Sequence, residues 1–164
     1  MLWLRRFKER IKAMCTASLD QVSDEDLRQA YKTRFRVNTG DVLSGSQKVA
    51  DHLSTYLNGR SKETFAVIYL NGRNAVIDTF VMFEGTVNQA VVYPREIIKC
   101  ALLFSAVAVI VGHNHPSGQI KPSGDDRAIT RKIKQACEVM DMRFLDHVII
   151  AGGEWFSFAD SGLL

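Results

Sequence analysis

Two histidines and an aspartate occupy a short polar segment of the sequence with a spacing that suits a metal ion. His113 and His115 flank Asn114, and Asp126 follows after a loop that contains Pro116 and Gly118. Because residues i and i+2 of an extended segment point the same way, the two imidazoles can converge on one ion. A carboxylate would complete three protein ligands and leave a fourth position for water, as is typical of catalytic zinc. The pattern therefore predicts a Zn2+ site.

Each part of this pattern also has a purely structural interpretation. Ser123-x-x-Asp126 is a capping box, and most such patterns simply start a helix. A lone His-x-His pair binds nothing in many proteins, and loops rich in glycine and proline are commonly just turns. Asp125 is an alternative ligand to Asp126. The combination of two histidines, a constrained loop and a carboxylate at a helix start nevertheless favours a metal site.

Bound zinc would make this segment suitable for hydrolysis. Zinc lowers the pKa of its water to about 7, which provides hydroxide at neutral pH. Bond cleavage also needs a base that takes the proton of the water and a donor that stabilises the oxyanion.

The complete segment resembles a family signature. His113-Asn-His-Pro-Ser-Gly, three further residues and Pro122-Ser-Gly-Asp-Asp126 are similar to the motif of the RadC family, a bacterial branch of the JAMM (MPN+) metalloprotease-like domains. The resemblance extends from about Leu43 to Leu164 and includes three shorter stretches: Pro94-Arg-Glu-Ile97, Leu145-Asp-His147 and Trp155 to Phe158. It implies the α/β fold of the JAMM/MPN domain, a mixed β-sheet flanked by helices in an α/β/α arrangement akin to cytidine deaminases.

The resemblance also implies roles for individual residues. His113, His115 and Asp126 match the zinc ligands of the family, and Ser123 matches the serine that helps to stabilise the tetrahedral intermediate. The catalytic glutamate of the family lies just before the strand that follows the first helix of the domain, which here is Glu63. The competing carboxylates are Glu84 and Glu96.

Two classes of function follow from these features. The first is a zinc metallopeptidase or isopeptidase that uses zinc-activated water. The second is a nucleic-acid-binding protein of DNA repair or recombination, which the charge distribution supports weakly. Residues 1–40 carry nine Lys/Arg against five Asp/Glu, whereas residues 41–164 carry twelve against thirteen. A zinc deaminase is excluded because its His-x-Glu and Pro-Cys-x-x-Cys ligands are absent from the sequence.

The surrounding pattern predicts the elements that would position these residues. We expect an N-terminal helical arm over residues 1–40 and a JAMM/MPN+ domain over residues 41–164, with a mixed sheet and helices on both faces. The expected helices are Ser46 to about Leu57, Pro94 to Phe104 and about Gly124 to Met140. The expected strands are Thr64 to Leu70, Ala75 to Phe83, Val107 to Val111, Asp146 to Ala151 and Trp155 to Phe158, with a further turn or short strand between Gly85 and Tyr93.

The remaining features yield weaker expectations. Residues 1–14 form a basic amphipathic pattern, which predicts either a docking arm or a helix that packs on its own domain. Three scattered cysteines and the absence of a signal peptide or membrane span indicate a cytoplasmic protein. His52 and His147 are interpreted as structural, and Asn114 and Ser117 as groups that orient the histidine ligands. The pattern indicates neither the substrate nor the oligomeric state.

Overall fold

The computed structural model describes Ser23, residues 40–85 and residues 92–164. The expected N-terminal arm, and most of the segment between Gly85 and Tyr93, lie outside these ranges. The described helices are α1 (Ser46–Leu57), α2 (Pro94–Leu103) and α3 (Gly124–Val139). The described strands are β1 (Thr64–Leu70), β2 (Val76–Glu84), β3 (Ala108–Asn114), β4 (Arg143–Ala151) and β5 (Glu154–Ser157).

The five strands form one mixed sheet in the order β2-β1-β3-β4-β5. Only β3 and β4 are parallel, and the other neighbouring strands are antiparallel. A parallel pair needs a crossover connection, which α3 provides between β3 and β4. The predicted mixed sheet is therefore confirmed.

Helices cover both faces of this sheet because the side chains of its central strands alternate. Ala66, Ile68 and Leu70 of β1 pack in one apolar cluster with Val49 and Leu53 of α1. Their neighbours in β1 pack in a second cluster, which includes residues from α2 and α3: Phe65, Val67, Tyr69, Ile97, Ala101, Ile133 and Cys137. This arrangement is the α/β/α fold that the sequence predicted.

A close approach between β3 and α1 explains a glycine directly before the first histidine. A Cβ atom on Gly112 would lie 2.5 Å from Leu53 Cδ1 and 3.0 Å from the carbonyl oxygen of Val148. Leu53 is fully buried, so its side chain has little room to move away. Gly112 thus lets α1 pack tightly against the strand that carries the candidate ligands.

The strand β3 is longer than the sequence analysis predicted. Its expected end was Val111, but pairing with β1 continues through His113, opposite Phe65, and pairing with β4 continues through Asn114, opposite Ile150. His113 is therefore part of the sheet instead of the loop that follows it. The error arose because pairing with two neighbours, and not the apolar run alone, decides where a central strand ends.

No helix in the described ranges combines the length and the hydrophobicity needed to cross a membrane.

Candidate metal centre

The end of β3 and the start of α3 bring the three expected ligands together. Ser123 is the N-cap of α3, and its Oγ accepts a hydrogen bond of 3.0 Å from the backbone N–H of Asp126. In return, the Asp126 carboxylate accepts a hydrogen bond of 2.7 Å from the backbone N–H of Ser123. This reciprocal capping box fixes Asp126 in the first turn of the helix, beside the two histidines.

One ligand atom from each of His113, His115 and Asp126 lies within 4.8 Å of the other two. The two Nε2 atoms are 2.9 Å apart. Asp126 Oδ1 lies 3.1 Å from His113 Nε2, and Asp126 Oδ2 lies 3.4 Å from His115 Nε2. These three residues are thus a group that could hold a metal ion, as the spacing predicted.

His115 is oriented by its own loop. Its Nδ1 lies 2.6 Å from the carbonyl oxygen of Gln119, which can only accept a hydrogen bond, so Nδ1 carries the proton. In the neutral ring, Nε2 therefore has the lone pair that a metal ion could use, and in the protonated ring Nε2 donates to Asp126. The hydrogen bond with Asp126 raises the pKa of His115, while burial lowers it and the Gln119 carbonyl and the charge of Glu63 raise it further.

Asp126 is the anionic member of the group. Burial alone would raise the pKa of its carboxyl, but hydrogen bonding to His113 and His115 outweighs burial and holds this pKa well below its ordinary value. An ionised carboxylate that faces imidazole nitrogens attracts a positive charge. The set of two nitrogens and one carboxylate oxygen fits zinc, which commonly takes these ligand types.

His113 is held from the opposite side by a residue that the sequence analysis interpreted as structural. Its Nδ1 lies 2.8 Å from Nε2 of His147, which is fully buried in β4. His147 is not one of the three converging residues, but it contacts one of them directly. The sequence does indicate the face of the sheet on which His147 lies, because side chains alternate along a strand and His147 must face away from Val148 and Ile150. The contact with His113 could be predicted from this only if β3 and β4 were already known to be neighbours.

Asn114 does not orient the histidines, so that prediction is wrong. Its Oδ1 accepts a hydrogen bond of 2.8 Å from the backbone N–H of Thr64. Its Nδ2 donates to the carbonyl oxygens of Arg60 and Lys62, at 3.2 and 3.1 Å. The buried side chain of Asn114 therefore secures the segment that contains Glu63 to the strand that carries His113. Ser117 Oγ accepts a hydrogen bond of 3.4 Å from the backbone N–H of Gln119, in the loop that holds His115.

Glu63 lies close enough to the candidate metal centre for its charge to contribute to the raised pKa of His115. Its own carbonyl oxygen accepts a hydrogen bond of 2.9 Å from Gly85. The two competing carboxylates have cationic partners: Glu84 pairs with Arg60, and Glu96 lies 3.3 Å from Arg95 and 4.0 Å from Lys99. Glu84 and Glu96 are thus each engaged in an ion pair, whereas the charge of Glu63 contributes to the raised pKa of His115.

The fold and the centre together define an α/β domain whose mixed sheet carries a His/His/Asp group at the end of its central strand. A family model described as the RadC-like JAB domain matches residues 43–163, and the chain belongs to this family. The family resemblance found in the sequence is thereby confirmed.

Several proteins of known sequence are similar to this chain. UPF0758 protein PBPRA0202 of Photobacterium profundum is 49% identical over 90% of this chain and 65% of its own length. A UPF0758 protein of Chromobacterium violaceum is 43% identical over 84% of this chain and 60% of its own length. UPF0758 protein VV0285 of Vibrio vulnificus is 47% identical over 75% of this chain and 55% of its own length. The chain thus spans 55–65% of these relatives, and their names state no activity.

Proposed function

We propose that this domain is a zinc-dependent hydrolase of the JAMM type that cleaves a peptide or isopeptide bond. The observation that carries the proposal is the convergence of His113, His115 and Asp126. Membership in the RadC-like JAB family supports the same class of reaction.

The two histidines divide the centre into a closed side and an open side. The side chain of His113 is 2% exposed, whereas that of His115 is 13% exposed. When bound, a zinc ion supplies Lewis acidity that polarises a carbonyl group and lowers the pKa of water to about 7. Substrate would enter from the side of His115, because the opposite side is closed by the core.

Glu63 is the proposed general base. Its carboxylate accepts a proton from the attacking water, and the same proton is then donated to the nitrogen of the leaving amine. The water oxygen first bonds to the carbonyl carbon and gives a tetrahedral oxyanion, and the carbon–nitrogen bond then breaks as the nitrogen takes up that proton. Asn114 keeps the backbone around Glu63 in place through Thr64, Lys62 and Arg60, so the base is held against the ligand strand.

Ser123 is the proposed donor to the oxyanion, but its hydroxyl already has a partner. Its Oγ donates a hydrogen bond of 2.6 Å to Asp126 Oδ2. To stabilise the substrate oxyanion, this hydroxyl would rotate from Asp126 to the substrate oxygen. Its role as the N-cap of α3 does not depend on that proton, because Oγ still accepts from the backbone N–H of Asp126.

Substitution of Glu63 tests the proposal. Zinc-loaded protein would be incubated with internally quenched peptides and with peptides joined through a lysine ε-amino group. We expect Glu63→Gln to lower turnover by at least about 100-fold, the usual contribution of a general base, while zinc content stays at the wild-type value.

Glu96→Gln is the matched control, since it removes a carboxylate whose partners are Arg95 and Lys99. This variant should retain wild-type turnover. Full activity of Glu63→Gln would reject Glu63 as the base. Failure of the zinc-loaded wild-type protein to cleave either kind of peptide would reject amide hydrolysis.

A further inference from the structure

A chain of hydrogen bonds runs from the backbone of α3 to the candidate ligand His113. Thr130 Oγ1 lies 2.5 Å from the carbonyl oxygen of Asp126 and 2.6 Å from Nδ1 of His147. Nε2 of His147 in turn lies 2.8 Å from Nδ1 of His113. Thr130, His147 and His113 are all buried, with at most 2% of each residue exposed. The chain is therefore shielded from water along its length.

Chemistry sets the direction of every hydrogen bond in this chain. A carbonyl oxygen can only accept, so the hydroxyl proton of Thr130 is donated to the Asp126 carbonyl. The hydroxyl then has only lone pairs left for His147, whose Nδ1 must carry a proton. In the neutral ring of His147, Nε2 is the acceptor, and Nδ1 of His113 must be the donor.

The surroundings of His147 favour this neutral ring. Phe158 is stacked on it with ring centroids 4.8 Å apart, and Phe65 meets it edge-on at 5.7 Å. A fully buried imidazole among aromatic rings lacks the solvation that a charged ring needs, so the neutral form fits this site. The two aromatic rings also restrict rotation of the imidazole, so its nitrogens stay directed at Thr130 and His113.

We infer that Thr130 and His147 are positioning residues that keep His113 in the tautomer able to bind a metal. With its proton on Nδ1, the neutral ring of His113 has the lone pair of Nε2 available to a metal ion held with Asp126 and His115. The inference rests on the proposed zinc site, but not on the bond that the enzyme cleaves. It extends the centre by a residue of β4 and a residue of α3, neither of which belongs to the His/His/Asp group.

A second histidine–threonine pair in the same domain provides a matched control. His52 Nε2 lies 2.8 Å from Thr79 Oγ1, and both residues are buried. His52 belongs to α1, which packs on the face of the sheet opposite to α3. The pair Thr79 and His52 therefore has the same chemistry and similar burial as Thr130 and His147, but it contacts no candidate ligand.

The first test is the tautomer of His147, measured from the 15N chemical shifts of its ring. In both metal-free and zinc-loaded wild-type protein we expect a neutral ring with its proton on Nδ1. A proton on Nε2 would overturn the inference, because His113 would then have to accept at Nδ1. This measurement needs neither a variant nor a substrate.

The second test is the affinity for zinc, measured by competition with a chelator. Thr130→Val should weaken zinc binding by up to about 10-fold, less than the loss of a direct partner of a metal-bound histidine, because Thr130 acts on His113 through His147. Thr130→Ser keeps the hydroxyl and should therefore bind zinc with wild-type affinity. Thr79→Val also removes a buried hydroxyl, but it should leave the zinc affinity at the wild-type value. Equal affinities of Thr130→Val and Thr79→Val would overturn the inference.

The possible failures are distinguishable. Wild-type protein that binds no zinc would overturn both the proposed function and this inference. Zinc binding that is insensitive to Thr130→Val would overturn only the positioning role. The expected tautomer and affinities without any peptide cleavage would support the positioning role and overturn only the proposed hydrolysis.

Discussion

The two histidines of the candidate metal centre are held in contrasting ways. His113 lies within β3, and its second ring nitrogen meets the buried ring of His147. Phe65 also stacks on its ring, with centroids 6.1 Å apart. His115 lies just beyond the strand, and its second ring nitrogen meets a backbone carbonyl of the same loop, that of Gln119. One ligand is thus part of the hydrophobic core, and the other depends on a local turn.

This contrast separates two requirements of a catalytic metal site. A ligand that is built into the core is oriented by folding itself, so its geometry is as rigid as the sheet. A ligand on a loop leaves one side of the ion accessible to substrate, which a fully buried set would not allow. The centre therefore combines a rigid half, formed by β3, β4 and α3, with an accessible half formed by the loop after β3.

Removing each histidine in turn should give the largest effects and should expose this difference. We expect His113→Ala and His115→Ala both to lose zinc during gel filtration, since each leaves only two ligands. In chelator-treated protein, His113→Ala should lower the free energy of unfolding by about 2–4 kcal/mol, because it creates a cavity and leaves His147 without its partner. His115→Ala should cost less than about 1 kcal/mol.

His52→Ala is the control for these two variants. It removes a buried histidine from α1, so it should lower the free energy of unfolding yet retain zinc. Chemical denaturation and metal analysis of the three variants provide the comparison. Equal losses of stability in His113→Ala and His115→Ala would contradict the division into a rigid half and an accessible half.

The next largest effect should come from Asn114, which stands between the two ligands but supports neither. Asn114→Ala removes three hydrogen bonds to the backbone around Glu63, so we expect a loss of about 1–3 kcal/mol in unfolding free energy. Displacement of Glu63, the proposed base, should lower turnover by on the order of 10- to 100-fold. Zinc affinity should stay at the wild-type value.

Asn71→Ala is a suitable control for that variant. Like Asn114, Asn71 uses its side chain to bind the backbone. It accepts hydrogen bonds from the N–H groups of Arg73 and Ala75, in the hairpin between β1 and β2. Its loss should lower stability without lowering turnover. The contrary result is that Asn114→Ala weakens zinc binding as strongly as it lowers turnover. That result would show that Asn114 supports the candidate ligands as well as the segment around Glu63.

The sequence predicted those features that depend on local periodicity or spacing. The bounds of α1 and β1 follow from apolar residues at helical spacing and from a short β-rich run, and both were predicted correctly. The convergence of His113, His115 and Asp126 followed from two residues on one side of an extended segment and a carboxylate at a helix start. Such features are determined within a few residues of one another.

The missed features depend on pairing between distant segments. The contact between His113 and His147 joins residues 34 positions apart, and that between Asn114 and Thr64 joins residues 50 apart. Neither residue type reveals its partner, because a buried histidine or asparagine satisfies its polar atoms wherever the fold provides a donor or acceptor. These two contacts could be predicted only after the neighbours of β3 in the sheet were known.

The smallest effect should arise in the accessible half, at the turn that holds His115. Gly118 has φ +78°, and its N–H donates a hydrogen bond of 3.0 Å to the His115 carbonyl. Gly118→Ala meets no neighbouring atom within 4 Å, so its cost is the left-handed backbone alone, about 1–2 kcal/mol. Partial relaxation of the turn would move the Gln119 carbonyl, so zinc affinity should fall by up to about 10-fold.

Gly162→Ala separates this local effect from a general loss of stability. Gly162 has φ +65° and open space around its Cα, so the substitution should cost the same unfolding free energy as Gly118→Ala. It lies near the end of the chain, beyond β5, and should leave zinc affinity unchanged. Chelator competition measures the zinc affinity of both variants and so distinguishes a local effect on His115 from a general loss of stability. A similar fall in both would mean that zinc binding follows the stability of the whole domain, and that His115 does not rely on its own turn.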